Sequence, residues 1–229
     1  MWVVCKTCNE RLLVVLVVLC TQLGVTLMAF INVVSPQQAS GRLEKVYKRV
    51  RAPDGQVDNV LQVHSLRPHT LEGHMAIYKA ALHHSSNRLE EWYLEAIGVL
   101  VSRLNGCNYC ETHHATGMER LLKVASLDAK AYRSVLDENE PGEPFTNREQ
   151  LGLLYAQKLT HTPGMIEEAD IEALRDAGFD DGEILEINQV TAYFAYANRT
   201  VTGLGVNAEN EVLGQSPTTG GDDSGWSHG

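Results

Sequence analysis

Residues 87–114, NRLEEWYLEAIGVLVSRLNGCNYCETHH, decide the fold because they read as two helices joined by a two-residue break. In the first helix Leu89, Trp92, Ala96, Val99 and Leu100 recur at helical spacing and form a core face. Glu95, Gly98 and Ser102 form a narrower stripe of small or polar residues, with room to face a partner helix. The spacing predicts a helix over 88–104, opened by the cap signature Asn87-Arg-Leu-Glu90. Asn105 and Gly106 interrupt it and are expected to cap the next helix, placing Cys107 and Cys110 in its first turns. Separations of three and four residues put Cys107, Cys110 and His114 on one helix face, with the two sulfurs within disulfide reach. At a helix start, unpaired amides and the dipole favour negative charge, so lowered thiol pKa values are expected there.

Outward from this stretch the chain continues as helical patterns separated by short breakers, and few segments read as strands. Leu43, Val46, Tyr47 and Val50 mark an amphipathic helix, and Pro68 opens another carrying Leu71, Met75, Tyr78 and Leu82. Cap signatures recur at Thr146-Asn-Arg-Glu149 and Asp180-Asp-Gly-Glu183. Gly178 suits the C-terminal cap of a helix over 168–177, and a last long helix carries Ile184, Ile187, Val190, Phe194 and Val201 on one stripe. With only 7% aromatic residues, the composition favours an all-α fold over a β-sandwich. A formal net charge of −10 lacks the basic face that nucleic-acid binding needs. Nothing matches a phosphate-binding glycine loop or a dinucleotide fingerprint.

Three segments are expected: an apolar extension over 1–27, a helical domain over 28–206, and a polar Gly/Ser/Thr/Asp-rich tail over 207–229, extended or mobile. Cys5, Cys8 and Cys20 fall in the extension, and the odd total of five cysteines argues against a fully paired secreted framework. Leu12 to Val34 carries no charge for 23 residues, behind Lys6 and Arg11. That length suits a membrane anchor, a signal peptide, or an upstream misassigned start before a natural one at Met28. The protein is expected in the cytoplasm, or at a membrane if the apolar segment is an anchor.

Taken together in type and spacing, Glu95, Ser102, Asn105, Cys107, Tyr109, Cys110 and His114 resemble the active-site motif of the alkyl hydroperoxidase D-like proteins, within the carboxymuconolactone decarboxylase superfamily. The likeness extends from about Phe30 through Asn198-Arg199, Gly203-Leu-Gly205 and Trp226-Ser-His228, and is similar to the peroxidase-related branch. It covers nearly everything after Met28 and nothing before it. The resemblance implies an AhpD-like helical bundle, a homo-oligomer, and thiol-dependent peroxidase activity without a cofactor or metal. It also implies Cys110 as the peroxide-attacking thiolate and Cys107 as the resolving thiol. The substrate would be a hydroperoxide, with a thioredoxin-like or lipoyl-bearing dithiol as reductant. Tyr109 departs from the pattern, standing where the best-known hydroperoxidases carry a histidine. Independently of the likeness, His114 can take a thiol proton and return it to an alkoxide, and Glu95 can orient that imidazole.

On the residues alone other readings stay open. The same four side chains could bind zinc, or the cysteines could be structural. A non-redox lactone decarboxylase would need a base and no cysteine pair, and a redox sensor would oxidise once per stimulus. His113 reads as a solvated or packing residue, His83 and His84 as helix-end caps, and Tyr109 and Trp92 as core or pocket wall. Asn198 and Arg199 read as anchors of a helix end or a subunit contact.

Overall fold

The computed structural model describes residues 28–52, 54–209 and 211–214. Among them the chain forms nine α-helices, one 3-10 turn (Pro163–Met165) and no strand. The helices are α1 (Gly41–Arg49), α2 (Asn59–Gln62), α3 (Pro68–Leu82), α4 (Glu91–Leu104), α5 (Asn108–Val124), α6 (Ala129–Glu138), α7 (Asn147–His161), α8 (Glu168–Asp176) and α9 (Asp181–Gly203). The all-α expectation holds.

The bundle is organised on α4, where every residue from Trp92 to Ser102 is buried. A helix apolar on all sides belongs in the middle, and α3, α5, α6, α7 and α9 pack around this one. Each of its fully buried Leu, Ile or Val side chains contributes about 1.5–3 kcal/mol. The small stripe on α4 seats α9. A Cβ at Gly98 would lie 2.2 Å from the ring of Phe194, so that ring occupies the space the glycine leaves. One turn further along, the Asn198 side-chain amide donates to the Ser102 hydroxyl at 3.0 Å.

Local signals account for most helix ends. Reciprocal capping boxes form at Thr146/Glu149 and Asp180/Glu183 as expected, and another forms at Glu167/Asp170, which the sequence reading did not single out. Gly178, at φ +93°, closes α8. The predicted cap at Asn87 is corrected. α4 begins at Glu91, and the Asn87 side chain instead donates to the Ala81 carbonyl near the end of α3 at 3.0 Å. The Arg88 and Leu89 amides donate to the Glu186 carboxylate of α9, at 2.9 and 3.0 Å. A carboxylate remote in sequence has thus taken over what the local signature would have done.

Residues 28–34 run as irregular backbone, held where the Phe30 amide donates to the Leu204 carbonyl and the Asn207 amide to the Met28 carbonyl. Among the described residues no helix is long and apolar enough to cross a membrane. The expectations for residues 1–27, with Cys5, Cys8 and Cys20, lie outside the described residues, as does Trp226.

Candidate active site

The link between α4 and α5 places the cysteines. Gly106 has φ +68°, its amide donates to the Arg103 carbonyl, and the Cys107 amide donates to the Ser102 carbonyl. This paired closure of α4 needs a left-handed residue where Gly106 stands. Cys107, rather than Asn105, is then the N-cap of α5. Asn105 ends α4 instead, and its side-chain amide donates to the Asn198 Oδ1 at 3.0 Å. Asn198 therefore does anchor a helix end, as expected, by joining α9 to the last turn of α4 through Ser102 and Asn105. Arg199 turns outward and donates to the Ala195 carbonyl of its own helix.

Cys107 and Cys110 are both buried free thiols. They pack with Ala29, Val63, Tyr109, Val201 and Val206 in an apolar cluster separate from the main core. The hydrogen bond from the Cys110 thiol holds the Cys107 thiol down to about 6 against burial, helped by the Cys110 amide, Thr202 and Asn198. Cys110 moves the opposite way. Its bond to Cys107, its own burial and the charge on its partner push it well above the ordinary thiol value. The lowered pKa expected at the helix start therefore belongs to Cys107 alone, because two adjacent thiols cannot both ionise cheaply.

Glu95 is fully buried, and its Oε2 lies 2.6 Å from the His114 Nδ1. A buried carboxyl without a partner would cost several kcal/mol, so this contact is the condition on which Glu95 sits there. An Nδ1 hydrogen donated to Glu95 leaves Nε2 as the acceptor nitrogen of the ring. Phe194 packs edge-on against the His114 ring, with centroids 4.6 Å apart at 89°, and fixes its plane. The sequence-selected residues Glu95, Cys107, Cys110 and His114 are thus brought together from two helices. Among the described residues no group of three or more His, Cys, Asp or Glu side chains is placed to hold a metal ion.

Cys110 and His114 open onto a cavity of about 50 Å³, also lined by Leu61, Met75, Tyr78, Tyr109 and Tyr193. At ~15 Å³ per water, that is room for about three waters, or for a small oxidant. Several lining residues escaped sequence reading. His74 also borders the cavity, and burial takes its pKa down to about 3, so it is a neutral imidazole at physiological pH. It had been one polar residue on a helix whose signal was apolar.

The rim carries Asp58 and His113. His113 is not solvated: it stacks on Tyr109 at 4.5 Å and its Nε2 lies 3.3 Å from Glu211 Oε2. Glu211 also accepts from the Tyr109 hydroxyl at 3.1 Å and from the Asn59 amide. Residues 207–209 and 211–214 are non-helical, and the bonds to Glu211 tie that part of the chain to the rim. Burial first, and then Glu211, raise the Asp58 carboxyl to about 6. Its neutral form is the one the fold favours, so the stability it supplies is present below pH 4 and lost as pH rises through 6. Asp58→Asn should therefore raise thermal stability at pH 7.5 by about 1–2 kcal/mol after solvent screening, with the gain nearly gone at pH 4. Melting curves at the two pH values check this, and an equal gain at both would contradict it.

No family model matches the chain, and no curated protein matches it. Solved structures do. A peroxidase-related protein from Silicibacter sp. TM1040 is 31% identical, with 69% of this chain and 81% of that one covered at a TM-score of 0.61. A peroxidase-related protein from Ralstonia eutropha JMP134, described as an alkylhydroperoxidase AhpD core, is 24% identical over 84% of this chain and all of that one, at a TM-score of 0.68. The debrominase Bmp8 shares the fold alone, at 16% identity and a TM-score of 0.59, with 81% of this chain and 93% of that one covered. The helical architecture and the 31% identity across four fifths of a relative make one assignment: the chain belongs to the AhpD-like, peroxidase-related proteins of the carboxymuconolactone decarboxylase superfamily.

Proposed function

We propose that this protein is a thiol-dependent hydroperoxide reductase. The observation that carries the reading is a buried dithiol of which one member, Cys110, lines a small cavity beside an imidazole fixed by a buried carboxyl. In the proposed cycle His114 accepts the Cys110 proton, and the Cys110 sulfur attacks the peroxide. An S–O bond forms, the O–O bond breaks, and the departing alkoxide takes a proton from the His114 imidazolium. The Cys107 thiolate then attacks the Cys110 sulfenic acid. The S–S bond forms, and the S–O bond breaks to release hydroxide, which is protonated to water. An external dithiol returns two electrons and two protons to the disulfide. Glu95 is assigned the orientation of His114, and Cys107 the role of resolving thiol, which its lowered pKa suits.

The shared fold does not choose the chemistry, since a debrominase has it too. The cavity favours a small hydroperoxide over a substituted ring, because about three water volumes cannot take one in. The test is consumption of hydrogen peroxide and of a short alkyl hydroperoxide with and without a dithiol. Many equivalents per protein are expected with the dithiol and none beyond the first without it. Equal slow consumption in both would reduce the pair to a sensor. Alkylation of Cys107 by iodoacetamide, slowed by its burial, should still rise with pH through about 6 instead of through the ordinary thiol range.

A further inference from the structure

His83 had been assigned a capping role, yet it turns into the protein and leaves an unexplained pair of polar atoms. Its Nε2 and the Glu95 Oε1 are both buried without a hydrogen-bond partner, and they face each other at 3.8 Å. On the other side of the ring, Nδ1 lies 2.7 Å from Glu91 Oε1, and the Glu91 side chain is 38% exposed. His114, Glu95, His83 and Glu91 therefore form a line of titratable groups from the cavity wall to solvent, with separations of 2.6, 3.8 and 2.7 Å, the middle one too long for a hydrogen bond.

We propose that His83 and Glu91 are the proton route that connects the buried Glu95–His114 pair to water, an inference that rests on the peroxidase reading above. The chemistry has a use for such a route. When Cys107 enters the cycle as a thiolate, its proton is already in bulk solvent, so the hydroxide released on disulfide formation needs one proton from outside. Glu95 itself is fully buried, and His114 on its one side faces the cavity while His83 on the other leads to Glu91 and the protein surface. Closing the gap by about one ångström makes a normal hydrogen bond and satisfies both orphan atoms at once. Long contacts of this kind tighten when a catalytic site is occupied. The titratable groups facing His83 are Tyr78 from α3, with ring centroids 4.7 Å apart, and Glu91 and Glu95 from α4. His114 of α5 and Tyr193 of α9 stand around Glu95 beyond them.

Two variants test the route. Glu91→Gln, at a half-exposed position, and His83→Gln, which keeps a polar side chain but does not titrate, should each slow turnover about tenfold. Both should raise the solvent deuterium isotope effect, and added imidazole should recover part of the His83→Gln rate. A purely structural role would lower melting temperature without moving the isotope effect or responding to imidazole. Wild-type rates and isotope effects in both variants would overturn the route. A wild-type protein that fails to consume peroxide would instead count against the reaction assigned above. The route then has its own readout: His83→Gln should move the His114 ring signals in imidazole ¹⁵N spectra through Glu95, and Glu95→Gln should abolish that response. His114 signals unmoved by His83→Gln would refute the connection whatever the substrate is.

Discussion

Cys110→Ser is expected to reduce dithiol-dependent hydroperoxide consumption to background, a loss of at least about 10³-fold or 4 kcal/mol in transition-state stabilisation. The hydroxyl keeps the size of the thiol and its place on the cavity wall, so the variant removes a nucleophile while leaving the fold intact. Cys107 still carries the more acidic thiol, but it does not line the cavity. Cys107→Ser should behave differently: it consumes one equivalent of peroxide, and Cys110 accumulates as sulfenic acid that dimedone traps or excess peroxide drives to sulfinic acid. Intact-protein mass spectrometry separates the outcomes. The reverse pattern, one equivalent consumed by Cys110→Ser and none by Cys107→Ser, would exchange the two roles. Full turnover in Cys110→Ser would exclude the dithiol mechanism altogether.

What the sequence made legible follows from how local each signal is. The 3.6-residue periodicity of 88–104 and the Asn-Gly break depend on a few neighbouring residues, so the two helices, the break between them and the shared face of Cys110 and His114 could be read directly, while the residue that caps the second helix could not. Glu95 was selected by its spacing and its small-residue stripe, and it does meet His114. The failures come from partners distant in the chain. The amides after Asn87 are bonded to Glu186, 97 and 98 residues away, so a correct-looking cap signature had no work left to do. For His113 the sequence left solvated and packing roles open, because nothing nearby announces Glu211, 98 residues on, which with Tyr109 makes it a packing residue. The split in thiol acidity depends on Thr202 and Asn198 of α9 and on the hydrogen bond between the thiols, none of which a helix-dipole argument contains. His74 and His83 were passed over for a related reason: His74 lies on a helix read from its apolar stripe, His83 stands at a helix end where capping is the default, and only the packing of α3 on α4 and α9 turns them inward.

Gly98→Ala should be a severely damaging addition of a single methyl group to the core. Alanine is favoured over glycine in a helix by about 1 kcal/mol, so propensity alone forecasts a more stable protein. Packing opposes it. The new Cβ would stand 2.2 and 2.3 Å from two atoms of the Phe194 ring, which is fully buried and held by Tyr193 at 5.2 Å and His114 at 4.6 Å. A ring wedged between two others cannot rotate away, so α9 must retreat from α4, and overpacking of this kind costs about 1–3 kcal/mol and occasionally more. With the collision this severe the packing term wins, and a fall in melting temperature of about 4–8 °C is expected. The chemical consequence is larger than the thermal one. Phe194 sets the plane of the His114 ring, and retreat of α9 also moves Asn198 away from Ser102, Asn105 and the thiols. Turnover should therefore drop at least tenfold at temperatures where the variant remains folded. Adding Phe194→Leu to Gly98→Ala should recover stability relative to the sum of the two single changes, a coupling that a double-mutant cycle measures directly. A Gly98→Ala protein that melts higher than wild type would mean that α9 does not rest on the small stripe of α4, and the position assigned to His114 would fall with it.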